Sequence, residues 1–268
     1  MPTATSVSYY PGLMDLGRRT AIKVPEITAY FWITKLLTTA MGEATADFFV
    51  LRYNKFLMVA LSAIILVVTL AIQLVAARYV PWKYWLAVAM VAVFGTMAAD
   101  ALHIQFKVPY TASTAFFAVV LAVVFFVWHK VEKTLSIHSI FTLQRELFYW
   151  AAVLATFALG TAAGDLTAHT MGLGFFLSAM AFTGMILVPS LGYRSFKMNG
   201  VLAFWIAYVL TRPVGASFAD WLGKAKRLTG LGWGDGWVAL GLTVLIVIFV
   251  AYLTASHKED PTEHAELA

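Results

Sequence analysis

Apolar stretches long enough to cross a bilayer follow one another along most of the chain, separated by short polar, charged or Gly/Pro-containing breaks. Phe56–Ala77 carries no charge and is long enough to span the hydrocarbon core unaided. Leu240–Leu253, led in by Trp237 and Val238, approaches the roughly 20 residues a span needs. The pattern predicts eight helical spans, near 26–50, 56–77, 83–104, 109–128, 146–168, 172–190, 200–222 and 234–254.

The odd spans share a frame: a tryptophan, nine residues, a glycine, four residues, an aspartate. The copies are Trp32–Gly42–Asp47, Trp85–Gly95–Asp100, Trp150–Gly160–Asp165 and Trp205–Gly215–Asp220. An aromatic residue precedes each tryptophan (Phe31, Tyr84, Tyr149, Phe204), and a small one precedes each aspartate. The even spans are plainer, so the repeat is a two-helix hairpin occurring four times, over about 23–77, 78–130, 143–191 and 198–255. These repeats make a membrane domain over 23–256, flanked by an N-terminal segment (1–22) and a C-terminal tail (257–268). Two spans per repeat give every repeat the same orientation, so the fold class is an all-α polytopic membrane protein of eight helices in four parallel-oriented repeats. Eleven Lys/Arg fall on the side of the N-terminus against six on the other, the six including Lys224. The positive-inside rule then places both flanking segments in the cytoplasm.

Acids in apolar helices are costly, roughly 2.5–3.5 kcal/mol on insertion scales, and they commonly mark ion or proton pathways. Asp47, Asp100, Asp165 and Asp220 recur in register, and Glu43 stands one turn before the first. Glu43 with Asp47 (i,i+4), Asp100 with His103 (i,i+3) and Asp165 with His169 (i,i+4) each share a helix face. Such pairs can hold a metal ion or relay a proton, or the histidines simply face water. Lys35 and Arg212 also fall inside spans and are the expected charge-compensating groups. Five carboxylates against these two cations leave an excess of negative charge to be met by protons, bound cations or water. Pro213 interrupts the helix ladder next to Arg212 and marks either a kink or a cavity-lining distortion. Gly42, Gly95, Gly160 and Gly215, each with a small residue four positions on, predict close helix packing. The four tryptophans are expected to anchor or pack the helices, with a cation–π gating role as the sharper alternative.

Composition narrows the classes. Of 268 residues, 61% are hydrophobic and 12% charged, far from a globular enzyme's roughly 25% charge. The net charge of +5 resides mostly in loops, where topology explains it without nucleic acid. The absence of cysteine excludes disulfides, thiolate metal sites and cysteine nucleophiles. The first 22 residues contain no apolar run before a cleavage site, so no secretory signal peptide is expected. Neither H-E-x-x-H nor G-x-S-x-G occurs, and no enzyme is expected.

The segment KVPEITAYFWITKLLTTAMGEATADFF (Lys23–Phe49), taken with the four frames, resembles an uncharacterised bacterial membrane-protein family of four tandem two-helix repeats, each carrying a tryptophan. Its members are labelled membrane-anchored proteins or relatives of potassium-dependent sodium/calcium exchangers. The resemblance covers about residues 23–256 and implies the eight-span architecture and a bacterial plasma membrane. Exchangers of that class have inverted halves, whereas the hairpins here are parallel. The expected function is a secondary transporter that exchanges a divalent, Mn²⁺-like cation for protons at an intramembrane acidic site. Its partners are the lipid bilayer, the cation and protons, with no cofactor beyond a bound divalent ion; a homo-oligomer is compatible with the sequence. The alternative is a non-transporting receptor or assembly protein whose aspartates fix helix packing.

Overall fold

A computed structural model describes residues 21–256, apart from the side chains of residues 102–106. Both flanking segments therefore lie largely or wholly outside the described residues. Among the described residues there are eight long α-helices: α1 (Ala29–Arg52), α2 (Lys55–Val75), α3 (Pro81–Phe106), α4 (Tyr110–Glu132), α5 (Leu143–Asp165), α6 (Gly174–Ser195), α7 (Gly200–Gly223) and α8 (Asp235–Ser256). No strand occurs among the described residues. Polar residues at the breaks start the helices. Thr28, Asn54, Thr142 and Asn199 each accept a hydrogen bond from a first-turn amide, satisfying donors the helix leaves free. Helix α6 runs past Pro189 to Ser195, beyond the predicted end at 190. A single π-helical turn, Leu166–Thr170, extends α5.

The odd helices form an inner ring and the even helices an outer one. Helix α1 packs on α3, α3 on α5, α5 on α7, and α7 back on α1. Burial separates the layers: within their apolar windows 61%, 67% and 67% of the residues of α3, α5 and α7 are buried, against 17% to 28% in the outer four. The hairpin is the unit of the sequence but not of the packing. Helix α2 packs more extensively on α3 than on α1; likewise α4 lies on α5, α6 on α7, and α8 on α1. Each outer helix thus covers the inner helix of the next repeat, and the last covers the first. A closed ring follows, with every repeat tied to its successor.

Seven of the helices are long and apolar enough to cross a membrane, by length and composition. Helix α1, expected as a span, falls outside that set. It carries Lys35, Glu43, Asp47 and four threonines, and its polarity is tolerated because α3, α7 and α8 enclose it. The outer helices present apolar side chains outward, among them Leu57, Val67, Phe116, Val119, Leu187 and Ile248. A continuous apolar exterior of this extent is the signature of a surface that meets lipid or other protein.

Candidate functional site

The repeated residues meet one another cyclically. The aromatic residue before each tryptophan contacts the tryptophan of the following repeat: Phe31 to Trp85 at 5.8 Å, Tyr84 to Trp150 at 5.6 Å, Tyr149 to Trp205 at 6.2 Å, and Phe204 to Trp32 at 5.8 Å. Tyr84 and Tyr149 also join through their hydroxyls. This aromatic tier closes one end of the inner ring. Trp85, Trp150 and Trp205 are buried within it, and Trp32 is half-buried.

The frame glycines follow the same rule one tier on. A Cβ at Gly42 would strike Ala92, at Gly95 Phe157, at Gly160 Arg212, and at Gly215 Thr39. Each of those residues stands three before the glycine of the next repeat. Only hydrogen fits where adjacent inner helices touch, which is why the frame needs glycine.

Between these tiers Lys35 is buried, with its Nζ 3.9 Å from the Phe157 ring centre and 4.1 Å from that of Tyr208. It makes no ion pair among the described residues and its amine has no hydrogen-bond partner there. The expected compensation of an acid by Lys35 is therefore absent. Two turns separate it from Glu43, and that distance leaves it in the aromatic zone, where ring faces are its nearest partners.

Arg212 gathers all four inner helices. Its Nη2 lies 2.6 Å from Glu43 Oε2 of α1 and 2.6 Å from Thr161 Oγ1 of α5, and it also donates to the Thr96 hydroxyl of α3. Thr96 in turn donates to Glu43 Oε2, and Thr161 donates to the Phe157 carbonyl. Glu43, Thr96 and Thr161 are the residues directly after their frame glycines, so the repeat delivers them to one level. A buried ion pair is tolerable only with such supplementary hydrogen bonds. Pro213 sits inside α7 beside this knot, packed toward Gly160.

The far end of the ring is acidic. Oxygen atoms of Glu43, Asp47 and Asp220 all lie within 4.8 Å of one another. Asp100 and Asp165 stand close enough to act electrostatically on this group and on each other. The cation among them is Lys224, from the turn after α7. Its Nζ is 2.5 Å from Asp47 Oδ2 and 3.8 Å from both Asp220 Oδ1 and Asp235 Oδ2. Burial works against its charge, but the carboxylates of Asp47, Asp220 and Asp235 outweigh it and hold the ammonium above its ordinary pKa. Six carboxylates thus share two directly paired cations, Arg212 and Lys224. Oxygens spaced in this way suit a hard divalent cation, whose ligands sit 2.0–2.6 Å from the metal on opposite sides.

The chain's sequence matches a family model described as "Repeat of Unknown Function (DUF347)" in four copies, at residues 30–79, 83–134, 148–197 and 203–259. The chain belongs to this family. No curated protein and no solved structure matches it. Each copy of the DUF347 repeat contributes one aromatic contact, one glycine crossing and one aspartate to the rings above.

Two of the repeats carry a histidine after the aspartate, His103 and His169. His169 lies on the π-helical turn, 3.9 Å from Asp165, half-exposed, and stacked on Tyr110; it stands apart from the Glu43–Asp47–Asp220 group. The side chain of His103 lies outside the described residues. Several contributors escaped the sequence reading. Lys224 is i,i+4 from Asp220, a legible signal that its loop position concealed. Aligning the repeats on glycine would have raised Thr96 and Thr161 beside Glu43. A second buried pair, Lys23 with Glu146 at 2.8 Å, supported by Gln73, ties the segment before α1 to α2 and α5, and no repeat spacing announces it.

Proposed function

We propose that the protein is a multi-pass membrane protein, its repeats oriented alike and both termini cytoplasmic, that exchanges a divalent, Mn²⁺-like cation for protons through the interior of the inner ring. The observation that carries this reading is the convergence of Glu43, Asp47 and Asp220, with the Lys224 ammonium against Asp47 and Asp220 and with Asp100 and Asp165 alongside. Lys224 then acts as a tethered cation that balances the acids when no metal is bound. An arriving divalent ion displaces it from Asp47, and protonation of the carboxylates releases the ion. The aromatic tier is the opposite gate, since its four contacts close the ring around Lys35. The all-oxygen composition of the triad supports Mn²⁺, Mg²⁺ or Ca²⁺ over softer metals.

Proteoliposomes loaded with a Mn²⁺-quenched dye and, separately, a pH dye test this. Metal entry should drive proton exit, and Asp47→Asn and Asp220→Asn should abolish both at unchanged yield. Metal flux equal to that of empty vesicles would overturn the transport reading. One observation favours the assembly role instead: Glu43 and Asp47 already have close cationic partners. On that reading the same substitutions lower the yield of folded protein and no flux exists to lose.

A further inference from the structure

The ring has one unfilled seat. Trp205 is sealed by two aromatic residues of α4, Phe125 at 4.9 Å and Trp128 at 5.8 Å, and its indole N–H donates to the Leu135 carbonyl at 2.9 Å. Phe125 and Trp128 stand 40 and 43 residues after the tryptophan of their repeat, Trp85. At the same spacings after Trp150 stand Ser190 and Tyr193, on α6. Both line a groove beside Trp32, but Ser190 is too small to cover the indole, and Tyr193 turns outward at 61% exposure. Trp32 is the one frame tryptophan left half-buried.

The seat has a volume of about 660 Å³ and runs between the beginnings of α1 and α7 and the end of α6. Its floor is apolar: Trp32, Ile186, Pro189, Phe204 and Ala207. One end is polar, with Ser136, His138 and Asn199. Basic residues neighbour the lining positions in sequence. His138 is exposed there; exposed Lys133, Arg194 and Lys197 lie within two residues of lining positions Leu135, Tyr193 and Asn199. Of the nearby acids, Glu132 is held by Arg145 at 2.6 Å, which leaves Glu26, next to Ile27, as the opposing charge. An apolar trough ending in a basic rim is complementary to an acyl chain that carries an anionic head.

We propose that this groove is a binding site for one anionic phospholipid of the surrounding bilayer, its chain against Trp32 and its headgroup at the His138, Arg194 and Lys197 rim. The inference rests on the membrane placement above and not on transport.

Native mass spectrometry of the full chain in mild detergent tests it, with phosphatidylglycerol and phosphatidylcholine offered in equal amounts. One phosphatidylglycerol per chain should be retained preferentially. The Arg194→Gln, Lys197→Gln double variant, altered only at exposed positions, should lower that preference by roughly tenfold. Ser190→Phe rebuilds the missing cover and should expel lipid of either headgroup while keeping or raising the melting temperature. Equal retention of the two lipids by wild type, or an unchanged preference in the double variant, overturns the proposal. So does a seat taken by a second copy of the chain, or by glycerophosphoglycerol or inorganic phosphate as readily as by lipid. Should Ser190→Phe fail to fold, the double variant decides alone.

Discussion

Removing the Arg212 guanidinium would strand Glu43 in the centre of the bundle with only the Thr96 hydroxyl for company. Breaking one side of a buried pair costs about 3–5 kcal/mol, because the remaining charge loses its counter-ion and regains no water. Arg212→Met is therefore expected to lower the melting temperature sharply in detergent. Glu43→Leu should do the same for the mirrored reason. The double variant should be less destabilised than the two losses added together, since neither charge is then left alone. Strict additivity in a denaturant titration would show that the knot is not a coupled unit. Lys35 differs in kind: its amine faces the Phe157 and Tyr208 rings and no carboxylate, so Lys35→Met replaces a buried charge with an apolar chain of similar length. That change should leave the fold intact or stabilise it, and intact yield would mean that the charge is kept for a reason other than stability.

At the scale of the helices, the frame glycines set how closely the inner ring packs. A methyl at Gly160 would meet the stem of Arg212, and one at Gly42 would meet Ala92, both backed by the adjacent inner helix. Overpacking of this kind costs about 1–3 kcal/mol. Gly160→Ala and Gly42→Ala should each lower stability by at least that much. Gly184→Ala, on outer helix α6 where nothing lies within 4 Å, should be neutral or gain up to about 1 kcal/mol from helix propensity. Equal melting temperatures for all three would refute the close-packed inner ring. These contacts also show what was legible in the chain. The repeat, the eight helices and the close packing at the frame glycines follow from spacing alone, because packing at 3.6 residues per turn leaves a periodic trace. Ring closure does not, since the partner of Phe31 is Trp85 of the next inner helix, 54 positions away. The aromatic residue before each tryptophan was visible as a regularity without visible purpose. Lys224 was hidden for a different reason: a loop lysine reads as a topology marker until a turn folds it back onto Asp47.

For the whole molecule, the chain's lack of cysteine makes orientation directly testable. Single cysteines introduced at Val80 and Tyr193 should both react with label only from the cytoplasmic side; labelling of either from outside would refute the shared orientation of the repeats. Ion chemistry then separates transport from scaffold. A divalent cation that binds the folded acid group stabilises it by about 2.7 kcal/mol at a hundredfold excess over Kd. For a chain of this size that corresponds to a rise of about 5–10 °C in Tm. Lys224 is the built-in competitor, so Lys224→Gln should strengthen the metal response while slightly destabilising the metal-free protein. Acidification from pH 8 to 5 should weaken the response. The sign comes from the carboxylates, because protons and metal compete for the same oxygens. Lys224 contributes nothing to that slope: its pKa is held above the ordinary lysine value, so it stays charged throughout the range, and its stabilising contribution would be lost only as pH rises through that higher value. Asp47→Asn keeps the side chain's size but removes the charge, and it should abolish the metal-dependent shift while the metal-free protein still folds. A response that survives in Asp47→Asn, or that fails to grow in Lys224→Gln, would assign the acid end to helix packing and leave the ring a scaffold.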